Sequence, residues 1–349
     1  MSTHKPLKIF LIVLAVILLI AVGMVISNRF HSDFTKLNKT DQEILREYDK
    51  FCAGESEKPL WKGYKLSDKT VVLMSRDSMA VYLVNPTHSI HNVIAKKISL
   101  PDSFTLRAVY RVAPIMPSIW RMKVTGNFNT IGAKYPMFGD DVYYVKYSRT
   151  KSLDQKYTSS HFITFLSHEA FHYYMQDKWK SEGNSSVSLS TSDVKLMRQE
   201  YDVLKQIQDY LRNGGNDRAK LKDYASQYVL IMELRMAANQ DYTLAETSKE
   251  TAEGTATYVS IKASKIVGYD YGVMYFDNVK NVSFGDVFKQ IDAGKVQMDY
   301  LYSRMPYETG ALLCELLDAM GAPDWQKTLN QQTLKSPATL YTVIKSNVE

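Results

Sequence analysis

Phe162-Ile-Thr-Phe-Leu-Ser-His168-Glu169-Ala170-Phe171-His172 is the stretch from which the rest of the chain is read. Its apolar residues recur at helical spacing, so it reads as helix, running from about Ser159 to Trp179 with Phe162, Phe165, Leu166 and Phe171 available for a core. Four residues apart on a helix, His168 and His172 are separated by roughly 40° around the axis and about 6 Å along it, so both imidazoles leave one face. Two neutral imidazoles so placed are a two-point grip for zinc. A catalytic zinc site takes three protein ligands, so a third ligand must come from elsewhere in the chain. Glu169, beside the first histidine, has the chemistry of a general base for a zinc-activated water.

Two later blocks extend the pattern. Glu253-Gly254-Thr255-Ala256-Thr257-Tyr258 begins 81 residues after His172, and Tyr307-Glu308-Thr309-Gly310-Ala311 follows on another helical stretch. Together with HExxH these blocks resemble the gluzincin metallopeptidases, in particular the catalytic domain of the aminopeptidase N-like family. The resemblance implies zinc as the cofactor, His168, His172 and Glu253 as its ligands, Glu169 as general base, and Tyr307 as the group that stabilises the transition-state oxyanion. The block order agrees with the family. The gap before Glu253 is longer than in the family and implies inserted helices. No G-x-M-E-N block precedes the zinc motif, so the resemblance does not carry aminopeptidase specificity.

Glu246 and Glu250 stay open as rivals for the third ligand, since they stand seven and three residues before Glu253 and so fall near the same helical face. Glu253 alone is followed by glycine, which lets another helix approach closely. Glu250 also suits an acceptor for a histidine N–H, a contact that fixes the ring. The remaining histidines read as ordinary: His88 and His91 lie in a strand-and-loop region where side chains three apart face opposite sides. His161 reads as a packed or surface residue, and His4 and His31 flank an apolar segment.

That segment, Ile9 to Ile26, holds no charged or strongly polar side chain. Eighteen helical residues span roughly 27 Å, close to the hydrocarbon thickness of a bilayer. A cleaved signal peptide is the competing reading, with Lys5 and Lys8 as its basic region; the long apolar core and the bulky Ser27-Asn28-Arg29-Phe30-His31 junction favour an uncleaved anchor. A short basic N-terminus before a long C-terminal part leaves the N-terminus inside and the remainder extracytoplasmic. An intramembrane protease is excluded, because Lys156, Asp177 and Lys178 bracket the motif.

Two cysteines, Cys52 and Cys314, are too few for a disulfide scaffold, although an oxidising compartment would let them pair. A hydrophobic content of 45% supports one large core or two packed ones. The net charge of +6 is scattered and no basic stripe accompanies it, so nucleic acid is not an expected partner.

Between Trp61 and Ser148 the pattern is of short β-prone runs: Thr70–Met74, Met79–Val84, Phe104–Tyr110, Trp120–Val124 and Val142–Tyr147. By the resemblance, the last is a candidate edge strand for a substrate backbone. Before them, Thr40-x-x-Glu43 reads as a capping box opening a helix that reaches Cys52. After the zinc motif come a serine-rich loop from Ser181 to Ser192 and helices near Asp193–Leu211 and Asp217–Asn239. The expected fold is α+β: a transmembrane anchor (1–28), a juxtamembrane segment (29–60), a β-rich subdomain (61–150) and a mainly helical, zincin-like catalytic half (151–349). The expected function is a membrane-anchored, extracytoplasmic zinc metallopeptidase acting on peptide or protein substrates. The alternative is a catalytically silent or structural-zinc relative that binds peptide or cell-wall material.

Overall fold

A computed structural model describes residues 4–179 and 189–349 of the chain, so residues 181–188 of the expected serine-rich loop lie outside it. The fold is α+β, with one N-terminal helix, α1 (His4–Phe30), long and apolar enough to cross a membrane. Two compact units divide the chain: residues up to 58 with 65–154, and 59–64 with 155–349.

The first unit follows α1 with α2 (Lys39–Glu57), β1 (Val71–Ser75), β2 (Val81–Val84), β3 (Ala95–Lys97), β4 (Val109–Val112), α3 (Pro117–Val124), β5 (Pro136–Met137), β6 (Asp140–Asp141), β7 (Tyr143–Tyr147) and α4 (Arg149–Ser152). Five strands pair in the order β3-β4-β2-β1-β7, antiparallel except for β1 with β7. Side chains alternate across a strand. Val72, Met74, Val81, Leu83, Val112 and Tyr144 share one buried cluster with Ile119 and Met122 of α3. Tyr82 and Tyr147 fall outside that cluster and donate their hydroxyls to Asp41 of α2 at 2.6 and 2.7 Å. Asp41 is thereby satisfied in the core.

Three expectations in this unit are corrected. Asn38, not Thr40, caps α2, its side chain accepting the Asp41 N–H at 2.8 Å, and the helix runs on to Glu57. The run Trp120–Val124 is helix, not strand. Pro117 presets its first turn, and the buried pair Ile119 and Met122 is spaced by three, while Trp120 and Val124 are exposed. Of Phe104–Tyr110 only the end joins a strand, because the N–H groups of Thr105 and Leu106 are held by Asp49 Oδ1 at 2.7 and 2.9 Å. β7 does form at the sheet edge, yet its outer side is engaged: Lys146 N–H donates to Asn127 O and Tyr144 N–H to Asn129 Oδ1, each at 2.8 Å. A substrate backbone would have to displace those bonds.

The second unit contains α5 (Phe162–Met175), α6 (Thr191–Arg212), α7 (Arg218–Ala238), α8 (Gln240–Val267), α9 (Phe284–Asp292), α10 (Tyr300–Ser303), α11 (Met305–Met320), α12 (Trp325–Asn330) and α13 (Leu340–Val348). Residues 59–64 belong here through Trp61, whose ring meets Phe171 and Trp325 edge-on at 5.0 and 5.1 Å and whose indole donates to Asn330 Oδ1 at 2.8 Å. α8 is the central helix, with α5 and α11 packed on it. It starts at an Asn239 cap and stops at Gly268, which takes the left-handed conformation with φ of 79°. α11 crosses α8 with backbones in contact: a Cβ on Gly310 would stand 2.2 Å from the Glu250 carbonyl oxygen, and one on Gly254 2.3 Å from Gly310 Cα. Only glycine at both positions permits that approach.

α6 and α7 fill the stretch between His172 and Glu253. They are tied to α8 by a buried charge cluster, in which Arg235 of α7 pairs with Glu200 of α6 and with Glu246 of α8, the latter at 2.5 Å. A buried guanidinium needs such partners, and breaking one side would leave an uncompensated charge.

Candidate metal centre

α5 presents the HExxH residues because its other face is spent on packing: Phe162, Ile163, Leu166, Ala170 and Phe171 are all buried. Its register against α8 is set by polar ties near each end. Thr164 and Ser264 share a hydroxyl hydrogen bond of 2.7 Å. At the other end, just past α5, the Gln176 amide N–H₂ donates to Ala252 O and to Thr255 Oγ1, both at 2.9 Å.

Between these ties the ligand atoms meet. His168 Nε2 and His172 Nε2 are 3.0 Å apart, and Glu253 Oε2 lies 3.4 Å from the first and 3.2 Å from the second. A tetrahedral zinc with bonds near 2.0–2.1 Å requires its ligand atoms to be roughly 3.3 Å from one another. The triangle therefore fits three vertices of that tetrahedron. All three side chains are mostly buried, and among the described residues no further histidine, cysteine or carboxylate joins this group. Three acceptor atoms this close need a positive charge among them. The same attraction shows in the protons: burial would raise the Glu253 carboxyl, but hydrogen bonds and charge from both histidines override it and hold it far below the usual carboxylate range. Burial would lower His172, yet Glu253 and Glu169 raise it.

The rivals for the third ligand are engaged elsewhere. Glu246 is held by Arg235, and Glu250 accepts from the Tyr228 hydroxyl at 3.3 Å and from Thr309, with burial pushing its carboxyl up to about 8. Nor does Glu250 receive a histidine N–H, as one reading expected. That position is taken by Gln176, whose Oε1 lies 2.5 Å from His172 Nδ1. With its N–H₂ committed to α8, the Gln176 amide turns its oxygen to the ring, so Nδ1 carries the proton and Nε2 faces the ligand triangle. The sequence signal was only that Gln176 lies four residues after His172 on the same helix face.

Glu169 is half-buried beside the triangle, and burial outweighs the pull of His168 and His172 to raise its carboxyl. Tyr307, in the first turn of α11, lies with its ring nearly parallel to that of His168, centroids 5.8 Å apart and planes at 9°. Its hydroxyl hydrogen-bonds Glu253, and burial with that carboxylate raises its pKa, keeping it protonated at neutral pH. Arg304 also lies over the Tyr307 ring, its guanidinium 4.9 Å from the centroid and paired with the buried Glu308 at 2.6 Å. Tyr258 of the second block is structural, donating to Asp318, which also accepts the Trp325 indole at 3.1 Å.

His161 stacks on Tyr269 at 3.6 Å, and burial lowers its pKa to about 4; it is a packed residue. His88 lies 3.9 Å from Asp140 on a half-exposed loop. Cys52 and Cys314 are buried free thiols.

All five residues singled out from the sequence, His168, Glu169, His172, Glu253 and Tyr307, come from three helices of one unit and meet at one place. Comparison with protein-family models, curated proteins and solved structures finds no match to this chain.

Proposed function

We propose that the chain is a membrane-anchored zinc metallopeptidase of gluzincin type, with its helical unit outside the cytoplasm. The observation that carries this is the convergence of His168 Nε2, His172 Nε2 and Glu253 Oε2 within 3.4 Å of one another, with a carboxylic base and a phenol at its rim. Zinc in such a site supplies a Lewis acid for the scissile carbonyl and acidifies water.

The chain's own residues supply the remainder. Glu169 has a raised carboxyl pKa, which brings it nearer the working pH as a proton acceptor; it takes the proton from the attacking water and returns it to the leaving amine. Tyr307 is kept protonated, so its O–H can leave Glu253 and donate to the oxyanion as the carbonyl becomes tetrahedral. Gln176 holds the His172 ring so that Nε2, not Nδ1, faces the centre. A structural zinc would need a fourth protein ligand, and Glu250, the residue suited to it by sequence, is bound to Tyr228 and Thr309 instead.

α1 supports the anchored reading by its length and its exposed apolar surface. The basic N-terminus favours an inside start. The test is Glu169→Gln in the full chain. The variant is expected to bind zinc like the wild type and to lose peptide hydrolysis by a factor of about 10² or more. Full hydrolysis by the zinc-loaded variant would refute the mechanism, and a wild type that binds zinc but cleaves nothing in a broad peptide mixture would favour the binding-module reading.

A further inference from the structure

The end of α1 is built into the sheet of the first unit. The apolar run stops at Ile26, and Asn28, 4% exposed, donates its amide to the carbonyl oxygens of Ile94 at 3.3 Å and Arg111 at 3.4 Å. Ile94 O also accepts the Ala113 N–H at 2.7 Å, so it belongs to the β3–β4 ladder region and not to a loose loop. The chain leaving α1 is fixed a second time, Ser99 N–H donating to Ser32 O at 2.8 Å and Phe34 N–H to Ser99 O at 3.1 Å.

These two attachments set a depth. Asn28 lies two residues past Ile26, about 3 Å further along the helix axis. The headgroup layer on each side of the hydrocarbon core is roughly 5–7 Å deep. If α1 spans the bilayer, the backbone at Ile94 and Arg111 stands within that layer, because hydrogen bonds hold it against Asn28. From Ile94 to Ser99 the chain runs from the level of Asn28 to that of Ser32, away from the hydrocarbon. Going the other way it turns at once. Asn92–Ala95 is a tight turn, closed by Ala95 N–H to Asn92 O at 3.2 Å and Ile94 N–H to Asn92 Oδ1 at 3.1 Å, with Val93 at its tip. Val93 is 74% exposed. Directly after the turn, β3 is an edge strand carrying Lys96 and Lys97, both exposed, and Arg29 is exposed on the last turn of α1. The carboxylate of the nearby Asp33 is occupied by the Thr35 N–H and hydroxyl.

We propose that the 92–95 turn and β3 form a lipid-contacting collar where α1 leaves the bilayer, with Val93 in the interface and Arg29, Lys96 and Lys97 meeting anionic lipid headgroups. The collar rests on the membrane-spanning reading of α1. It would fix the first unit against the bilayer surface instead of leaving it to swing on a tether. Lysines on an edge strand also serve to block strand addition, and glutamates would do that equally well. Only the lipid role distinguishes the two charges.

The test uses the full chain reconstituted into vesicles of phosphatidylcholine with phosphatidylglycerol, and nitroxide labels on Val93→Cys and, separately, Ile26→Cys; the native thiols are buried. The expected result is that both labels are shielded from an aqueous nickel chelate and open to oxygen. A label at 93 that meets the chelate freely while that at 26 is shielded would overturn the collar and leave the span standing. Free access at both positions would overturn the span and the collar with it. In a second arm, spin-labelled phosphatidylglycerol is expected to associate with the wild type several-fold more strongly than spin-labelled phosphatidylcholine, each lysine contributing up to roughly fivefold. Lys96→Glu with Lys97→Glu is expected to abolish that preference; an unchanged preference would remove the lysines from the proposal.

Discussion

The candidate metal site turns on the His172 ring, because Gln176 meets its Nδ1 and its Nε2 faces His168 and Glu253. Gln176 does the holding, and its own orientation is set by two donations into α8. Gln176→Leu removes the acceptor and both donations while roughly keeping the volume. It is expected to weaken zinc binding about 10–100-fold, the usual cost of losing a partner behind a ligating histidine, as read by competition with a chelator. Zinc affinity equal to wild type would mean that the ring is held by packing alone. At this scale the sequence was legible where chemistry and spacing coincide, as in His168 and His172. It was not legible for Gln176, a polar residue among many. Glu250 was attractive on the same helix face as Glu253, yet one turn earlier the neighbours are Tyr228 and Thr309, and no helical wheel of α8 alone reveals which helix stands opposite.

Among the elements, the crossing of α8 and α11 decides whether Glu253 and Tyr307 meet. Gly254 follows Glu253, and Gly310 lies three residues after Tyr307. Their backbones touch, so the crossing fixes the distance between carboxylate and phenol. Gly310→Ala would set a methyl 2.2 Å from the Glu250 carbonyl oxygen and 2.7 Å from Gly254 Cα, contacts that backbone cannot relieve by a rotamer change. The expected loss is about 2–3 kcal/mol of stability, measured by denaturant unfolding, with separation of Tyr307 from Glu253 in any molecules that fold. A variant as stable as wild type would show that the helices can part without cost. Gly254 was readable from sequence as a site of close approach, though the partner helix was not. The long helices α6 and α7 were readable within a few residues from caps and turn residues. α3 was misread because Trp120, Met122 and Val124 alternate like a strand, while the residues that pack are Ile119 and Met122. Short pairings such as β3 and β5–β6 carry too few residues for any period to show.

The molecule as a whole joins two independent features: an apolar helix tied into one unit through Asn28, and a candidate ligand triangle built from α5 and α8 in the other. Buried, the Glu253 carboxylate is stable only with positive charge around it, supplied either by imidazolium protons or by a metal. The most direct measurement of the central claim is zinc content of the full chain purified in detergent, beside its Glu253→Ala variant. One zinc per chain is expected in the wild type, lost or greatly weakened in the variant. A wild type that binds no zinc, or a variant that holds it as tightly as the wild type, would contradict that claim.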